Sequence, residues 1–160
     1  MADLTVDTPP SPKPSDNQLT GEIPECLGDL TDLWSLQLQY NEIKSEIPTE
    51  LCALTKMEVF AAMRNDLHGN LPSCLGKWSN IEKLMLSDNF FRGAIPTELQ
   101  SMTKIRSLWL DDNDFTGSPL RTIDAMTSLE LLYLEDNRFS GTITEHFAQN
   151  MLNLTVADLR

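Results

Sequence analysis

The chain has 160 residues, of which 41% are hydrophobic and 22% are charged, a balance that suits one globular domain and argues against wholesale disorder. Its 24 acidic residues outnumber its 12 lysines and arginines, and the resulting net charge of −12 opposes polyanions, so we expect neither nucleic acid nor an anionic membrane surface as a partner. The longest apolar run, residues 59–63, is far shorter than the roughly 20 residues of a membrane span.

The amino-terminal residues differ in composition from the rest of the chain. Four of the nine prolines lie within residues 9–14, where they favour an extended backbone and remove amide donors. We therefore predict a linker or tail over residues 1–16. The acidic start lacks the basic residues and apolar run of a secretory signal.

A repeat of 24 residues organises the chain from residue 17 to residue 160. In each repeat an asparagine is followed at fixed distances by an apolar residue, by a glycine (Ser45 in one repeat) and, in four repeats, by an Ile-Pro or Leu-Pro pair. The asparagines are Asn17, Asn41, Asn65, Asn89, Asn113 and Asn137. Before the asparagine, segments such as Leu36-Gln37-Leu38 alternate with the period of a strand that has one buried face. Because the same path separates successive strands, we expect them to run parallel at about 4.8 Å.

The spacing of asparagine, glycine and proline, which recurs from repeat to repeat, predicts the turns. Each asparagine stands where the chain leaves the strand, and its amide is predicted to point inward and to pair with backbone groups, so that the six asparagines form a ladder. The proline predicts a short helix or 3-10 turn, as over residues 24–30. Two departures are visible: Pro119 comes one position early, and Leu154 keeps the phase of the repeat only if one residue is inserted after Phe147.

The pattern LxxLxLxxNxLxGxIPxxLxxLxx resembles the leucine-rich repeat, and its Gly-x-Ile-Pro extension is similar to the plant-type subclass. The resemblance implies a right-handed α/β solenoid, or horseshoe, with a concave parallel sheet and short helical or 3-10 segments on the convex side. It covers about six repeats over residues 17–160. Because the last repeat reaches Arg160 without a polar cap, we expect a truncated array that continues in further repeats or self-associates at this edge.

Residues suited to catalysis or to metal binding are sparse. The two histidines, His68 and His146, belong to different parts of the repeat, and neither a phosphate-binding loop nor an HExxH motif occurs, so we expect no catalytic activity and no cofactor. Asp88, Asp112 and Asp136 would stack on neighbouring repeats with oxygen atoms of the kind that calcium prefers. Acidic residues at a turn more often accept local hydrogen bonds, however, so we predict no metal site.

The cysteines and one short motif bear on the compartment. Cys26, Cys52 and Cys74 are odd in number and form no CxxC pair, so we interpret them as buried thiols rather than as a disulfide framework. Asn153-Leu154-Thr155 is an N-glycosylation sequon, which matters only if the chain is exported.

The outward face of the predicted strands carries the candidate binding residues. Three apolar anchors follow one another on successive strands: Met85, Trp109 and Tyr133. Acidic residues lie beside them: Asp88, Asp111, Asp112, Glu135 and Asp136. Since a packed core does not require large aromatic rings at outward positions, we predict that this face binds a protein or peptide, with the acidic residues selecting basic groups.

The resemblance keeps two more specific functions open. The chain is expected to be either a general recognition module, part of the ligand-sensing ectodomain of a receptor-like protein or receptor kinase, or an inhibitor of a secreted hydrolase similar to polygalacturonase-inhibiting proteins. The compartment stays open with them: the chain would be cytoplasmic if complete, and extracellular or at the cell surface if it is a fragment of a receptor-like protein.

Overall fold

A computed structural model describes residues 17–160, so the predicted linker or tail over residues 1–16 lies outside the described residues. One short strand from each successive repeat joins a single parallel sheet of six strands, arranged in chain order. These strands are Ser35–Gln37, Val59–Ala61, Lys83–Met85, Ser107–Trp109, Leu131–Tyr133 and Val156–Asp158. The face of this sheet that points away from the core is called the concave face below.

The register of the sheet follows the repeat. Leu84 pairs with Leu108, which is 24 residues later, and the other pairs among the first five strands keep this separation. The final strand pairs Leu132 with Ala157, a separation of 25 residues. The prediction of one inserted residue in the last repeat is therefore confirmed.

Shorter parallel strands follow the asparagine of each repeat. Thr20–Gly21 pairs with Glu42–Ile43. A second group joins strands from the later repeats: His68–Gly69, Phe90–Ala94, Asp114–Gly117 and Arg138–Phe139. Gly93 and Gly117 have φ angles of 77° and 80°, so the glycine of the repeat occupies a backbone region that side chains disfavour.

The convex side is built from short helical turns. Four of them are 3-10 helices: Glu25–Asp29, Thr49–Ala53, Ser73–Lys77 and Thr97–Ser101. Each follows a proline whose carbonyl accepts the first hydrogen bond, as from Leu51 N to Pro48 O at 3.2 Å. The last two repeats contain α-helices instead, Leu120–Ile123 and Glu145–Asn150. No helix within residues 17–160 is long and apolar enough to cross a bilayer.

The early proline in the fifth repeat explains the change of helix type there. Pro119 itself has helical backbone angles, with φ −71° and ψ −30°, whereas the prolines before the 3-10 helices are extended. Its carbonyl accepts a hydrogen bond from Ile123 N at 3.1 Å, which is the spacing of an α-helix.

The core lies between the two groups of strands and the convex turns, and it is continuous along the array. Aromatic rings on successive repeats stack within it, with centroid distances of 5.9 Å between Phe91 and Phe115 and 6.0 Å between Phe115 and Phe139. Trp78 is fully buried, and its Nε1 donates to Leu51 O at 3.0 Å. Each repeat thus buries its apolar residues against its neighbours rather than within itself.

The repeating asparagines pair with the backbone of neighbouring turns. Asn89 is buried, its Oδ1 accepts from Leu67 N at 3.0 Å, and its Nδ2 lies 3.0 to 3.1 Å from the carbonyl oxygens of Ala62, Leu86 and Ser87. The same acceptor bond, from an amide 22 residues earlier, recurs at Asn41, Asn65, Asn113 and Asn137. Asn17, at the start of the described residues, is exposed.

Cys52 and Cys74 form a disulfide with a Cα–Cα distance of 5.7 Å, so the interpretation of the three cysteines as buried thiols is wrong. Cys26 is a free thiol, and it is exposed. The disulfide joins the 3-10 helices Thr49–Ala53 and Ser73–Lys77 of adjacent repeats. Its two cysteines are 22 residues apart, which is the diagonal offset that the asparagine hydrogen bonds also span.

The ladder gives a first prediction, on stability. Asn89→Ala removes partners from buried backbone groups, each of which costs about 1 to 3 kcal/mol when left unpaired. We therefore expect Asn89→Ala to lower the free energy of unfolding far more than Asn17→Ala, whose side chain is exposed. Chemical denaturation of both variants measures the difference, and equal shifts of the midpoint would contradict it.

The disulfide gives a second prediction. Closing a loop of 22 residues is expected to stabilise the fold by about 3 kcal/mol, because it restricts the unfolded chain. The double variant Cys52→Ala, Cys74→Ala should lose this stability and should become insensitive to reductant, whereas Cys26→Ala should behave like the unaltered chain. Thermal denaturation with and without reductant tests this. A wild-type chain whose melting temperature is the same with and without reductant would contradict the prediction.

Candidate concave binding surface

The three apolar anchors lie side by side on the concave face, because Met85 pairs with Trp109 and Trp109 with Tyr133 in the sheet register. Trp109 and Tyr133 are in edge-to-face contact, with a centroid distance of 5.3 Å and an interplanar angle of 73°. Trp109 is only 7% exposed, whereas Met85 and Tyr133 are half-buried. The sequence places Trp109 on the outward face, but its neighbours cover most of the ring.

The indole nitrogen of Trp109 is an unsatisfied donor. Nε1 is buried and has no hydrogen-bond partner among the described residues. Leaving such a donor unpaired costs about 1 to 3 kcal/mol, and buried indole N–H groups usually find an acceptor. Because Nε1 has almost no exposed surface, a ligand oxygen would reach it only after a shift of the ring, and the hydrogen bond formed would then recover that free energy.

Two carboxylates lie beside the aromatic rings, two residues after the ends of the strands Ser107–Trp109 and Leu131–Tyr133. Asp111 is 8% exposed and accepts a hydrogen bond from Ser87 Oγ. Burial raises its pKa above the usual value, although the bond from Ser87 opposes the shift. Burial also raises the pKa of Glu135, and the negative charge of Asp111 adds to that rise. One carboxylate oxygen of Glu135, Oε2, is buried without a partner among residues 17–160.

The row of residues directly before the ladder asparagines is fixed by the backbone of the turns, and its last three members are acidic. The residues before the ladder asparagines have left-handed backbone, with φ between 51° and 59°: Tyr40, Arg64, Asp88, Asp112 and Asp136. Aspartate tolerates this region better than most side chains, so the row has a structural reason as well as a functional one. The pKa of Asp112 is raised by burial and then by the charges of Asp136 and Asp88.

One member of this row is already neutralised. Arg64 Nε lies 3.0 Å from Asp88 Oδ2, and its guanidinium carbon lies 5.6 Å from the centre of the Tyr40 ring. Asp88 therefore contributes less attraction for a basic ligand than the sequence predicts. The signal was present in the sequence, because Arg64 occupies the position of Asp88 in the preceding repeat. The remaining negative charge is concentrated in the fourth and fifth repeats.

We call the residues of that part of the surface the acidic aromatic cluster: Trp109, Asp111, Asp112, Tyr133, Glu135 and Asp136. It combines two aromatic rings, an unpaired indole donor and four carboxylates on neighbouring strands. Within residues 17–160 no group of three or more His, Cys, Asp or Glu side chains is arranged to hold a metal ion. Such a surface suits the binding of an amphipathic, basic group.

The histidines lie apart from this cluster and from each other. His68 is exposed in the short strand His68–Gly69. His146 lies in the convex helix Glu145–Asn150, where its Nδ1 is 3.1 Å from Asp124 Oδ2.

Comparison with known proteins identifies the architecture. Residues 80–102 and 128–150 match the Leucine Rich Repeat family. The plant peptide hormone receptor RGFR1, solved in complex with RGF2, is 33% identical over 90% of this chain, with a TM-score of 0.86. The ectodomain of the Arabidopsis receptor kinase HAESA, solved with an N-terminally extended IDA peptide hormone, is 33% identical over 91% of the chain, with a TM-score of 0.84. This chain spans 23% and 24% of those two proteins.

The same fold also occurs with another function. A plant ice-binding protein is 26% identical over 84% of this chain, which covers 44% of that protein, with a TM-score of 0.74. No curated protein sequence matches the chain. The periodic sequence, the stacked parallel strands and the matched repeats together show that this is a leucine-rich repeat protein of the plant type.

Proposed function

We propose that the chain is a non-catalytic recognition module that binds a peptide or protein on the concave face, centred on the acidic aromatic cluster. The unpaired indole donor of Trp109 is the observation that carries the proposal, because a buried polar group without a partner is costly and a shift of the ring on binding would let a ligand acceptor pair with it. An extended peptide offers what the cluster lacks, since its backbone carbonyls accept hydrogen bonds and its side chains reach neighbouring strands.

Charge supports a basic peptide as the ligand. Burial first, and then neighbouring carboxylates, raise the pKa values of Asp111, Asp112 and Glu135, and the carboxylate contributions indicate negative charge that nearby cations only partly offset. An arginine or lysine side chain would relieve this repulsion, and a guanidinium group could also stack on an aromatic ring. The acidic residues therefore select basic groups, while the rings supply apolar contact.

The solved structures favour a receptor as the parent of this module. RGFR1 and HAESA were both solved with peptide hormones, and each is about a third identical to this chain. We propose that the chain forms part of the ligand-sensing ectodomain of a receptor-like protein or receptor kinase. Inhibition of a secreted hydrolase is the alternative, and the two predict different ligands, a short peptide for the receptor and a folded enzyme for the inhibitor.

A peptide-selection experiment tests the concave site, and it gives the third prediction. Random peptides displayed on phage and selected against the chain should be enriched in arginine and lysine. Peptides so selected should bind Trp109→Ala with a loss of roughly 2 kcal/mol, or about 30-fold in Kd, because a central anchor is removed. Trp109→Phe keeps an aromatic ring but removes the N–H donor and part of the ring system, so it should show a smaller but measurable loss.

Charge-reversal variants distinguish the effect of the carboxylates on the association rate from the effect of Trp109 on affinity. Asp112→Lys and Asp136→Lys alter exposed carboxylates, so they should chiefly slow association and flatten its salt dependence. Glu25→Ala and Glu98→Ala lie on the convex helices and should leave the affinity unchanged. If the convex variants weaken binding while Trp109→Ala does not, the working face has been assigned wrongly.

We also propose that the last repeat self-associates, which gives the fourth prediction. Among the described residues, Val156–Asp158 pairs with only one neighbouring strand, and an apolar cleft of about 360 Å³ beside it is lined in part by Leu134, Phe139 and Ile143. Unpaired strand groups and open apolar surface favour pairing, either with a further repeat or with a second copy of the chain. Sedimentation should detect dimers at high concentration, and Ile143→Asp should abolish them, whereas Leu30→Asp at the other end should not. A wild-type chain that stays monomeric refutes the proposal.

A further inference from the structure

We propose that Asn153 is a site of N-linked glycosylation. Asn153-Leu154-Thr155 has the acceptor pattern Asn-x-Ser/Thr, and the middle residue is not proline. The motif lies in the turn between the convex helix Glu145–Asn150 and the strand Val156–Asp158, where Asn153 and Thr155 are both exposed. The fold therefore leaves room at Asn153 for a bulky, solvated substituent.

The local hydrogen bonds are compatible with the modification. Asn153 Nδ2 donates to Thr127 O at 2.9 Å, and Thr155 Oγ1 donates to Glu130 O at 3.0 Å. The donor substrate is an oligosaccharide activated as a glycosyl diphosphate. A bond forms between Nδ2 and the anomeric carbon, the bond from that carbon to the diphosphate oxygen breaks with its electron pair, and Nδ2 loses one of its two protons. The proton that remains on Nδ2 can still be donated to Thr127 O.

A second asparagine provides an internal comparison. Asn80 occupies the equivalent place three repeats earlier, and its Nδ2 likewise donates to the backbone of the preceding repeat, at 3.1 Å from Thr55 O. It is followed by Ile81 and Glu82, so it lacks the hydroxyl that the acceptor motif requires. The shared hydrogen bond therefore has a structural role at both places, and only Asn153 adds the acceptor motif.

The disulfide is an independent observation that points to the same compartment. Disulfides form and persist in oxidising compartments, including the lumen through which secreted and cell-surface proteins pass. Cys52 and Cys74 are positioned to form one between adjacent repeats. N-linked glycans occur on secreted proteins, so the disulfide and the exposed acceptor motif agree.

The glycan would leave the proposed binding surface free. Asn153 lies three residues before the strand Val156–Asp158, whereas the acidic row at Asp112 and Asp136 follows the ends of the strands Ser107–Trp109 and Leu131–Tyr133. Because all six strands are parallel, Asn153 lies at the end where the strands begin, and Asp112 and Asp136 lie at the end where they finish. The length of a strand, roughly 10 Å, separates the two ends. Glycosylation at Asn153 is therefore compatible with ligand binding at the acidic aromatic cluster.

Mass spectrometry of the secreted chain tests the proposal. The chain is produced in a eukaryotic host behind an export signal, digested, and treated with peptide N-glycosidase, which converts a glycosylated asparagine to aspartate. We expect this conversion at Asn153 and a matching loss of mass from the intact chain. An unmodified Asn153 in the secreted wild-type chain overturns the proposal.

Matched variants separate the motif from the fold. Thr155→Ser keeps the hydroxyl and should retain the glycan, whereas Thr155→Ala and Asn153→Gln should lose it. Glu82→Thr gives Asn80 the missing hydroxyl and should add a second glycan there. If Thr155→Ala keeps the modification of the wild-type chain, then the attached group does not depend on the acceptor motif and the proposal fails.

Discussion

The asparagine at the end of each strand is the constraint on which the other parts of the repeat depend. A parallel solenoid must turn sharply out of every strand, and each turn leaves backbone amides and carbonyls that would be buried without partners. Asn89 pairs with such groups in its own turn and in the preceding repeat, and the same bonds recur along the array. With the turn fixed, the strand and the convex helix of each repeat fall into register with their neighbours, and apolar residues can be buried between repeats.

The same turn also determines much of the candidate binding surface. It holds the residue before each asparagine in a left-handed conformation, where aspartate is better tolerated than most residues. Asp112 and Asp136 therefore meet a backbone requirement and add negative charge at the edge of the concave face. Arg64 shows that the position does not require an acid, and its ion pair with Asp88 removes charge from the earlier repeats. The negative charge at the fourth and fifth repeats is thus a feature of the sequence that the fold permits without demanding it.

Periodicity made the fold predictable, since strands, core positions and the inserted residue before Leu154 all follow from one repeat length. What it did not provide was the distance between side chains in neighbouring repeats. An odd number of cysteines does not predict the disulfide between Cys52 and Cys74. Their separation of 22 residues does bring them together, because residues 22 apart contact each other between adjacent repeats of this solenoid. The burial of Trp109 was missed for a related reason: alternation assigns a side chain to a face, whereas the cover provided by Tyr133 depends on ring geometry.

Function is decided by the outward rows rather than by the repeat itself. Hormone receptors and an ice-binding protein share this solenoid at 26% to 33% identity, so the core and the ladder are compatible with quite different ligands. Buried positions leave little freedom, because each must fit the repeats on either side. The concave positions are free to differ from repeat to repeat, and here they change from Gln37 at the start of the array to Trp109 and Tyr133 near its end. A gradient of this kind, on a scaffold that stays constant, is expected where one part of the surface has been adapted to a ligand.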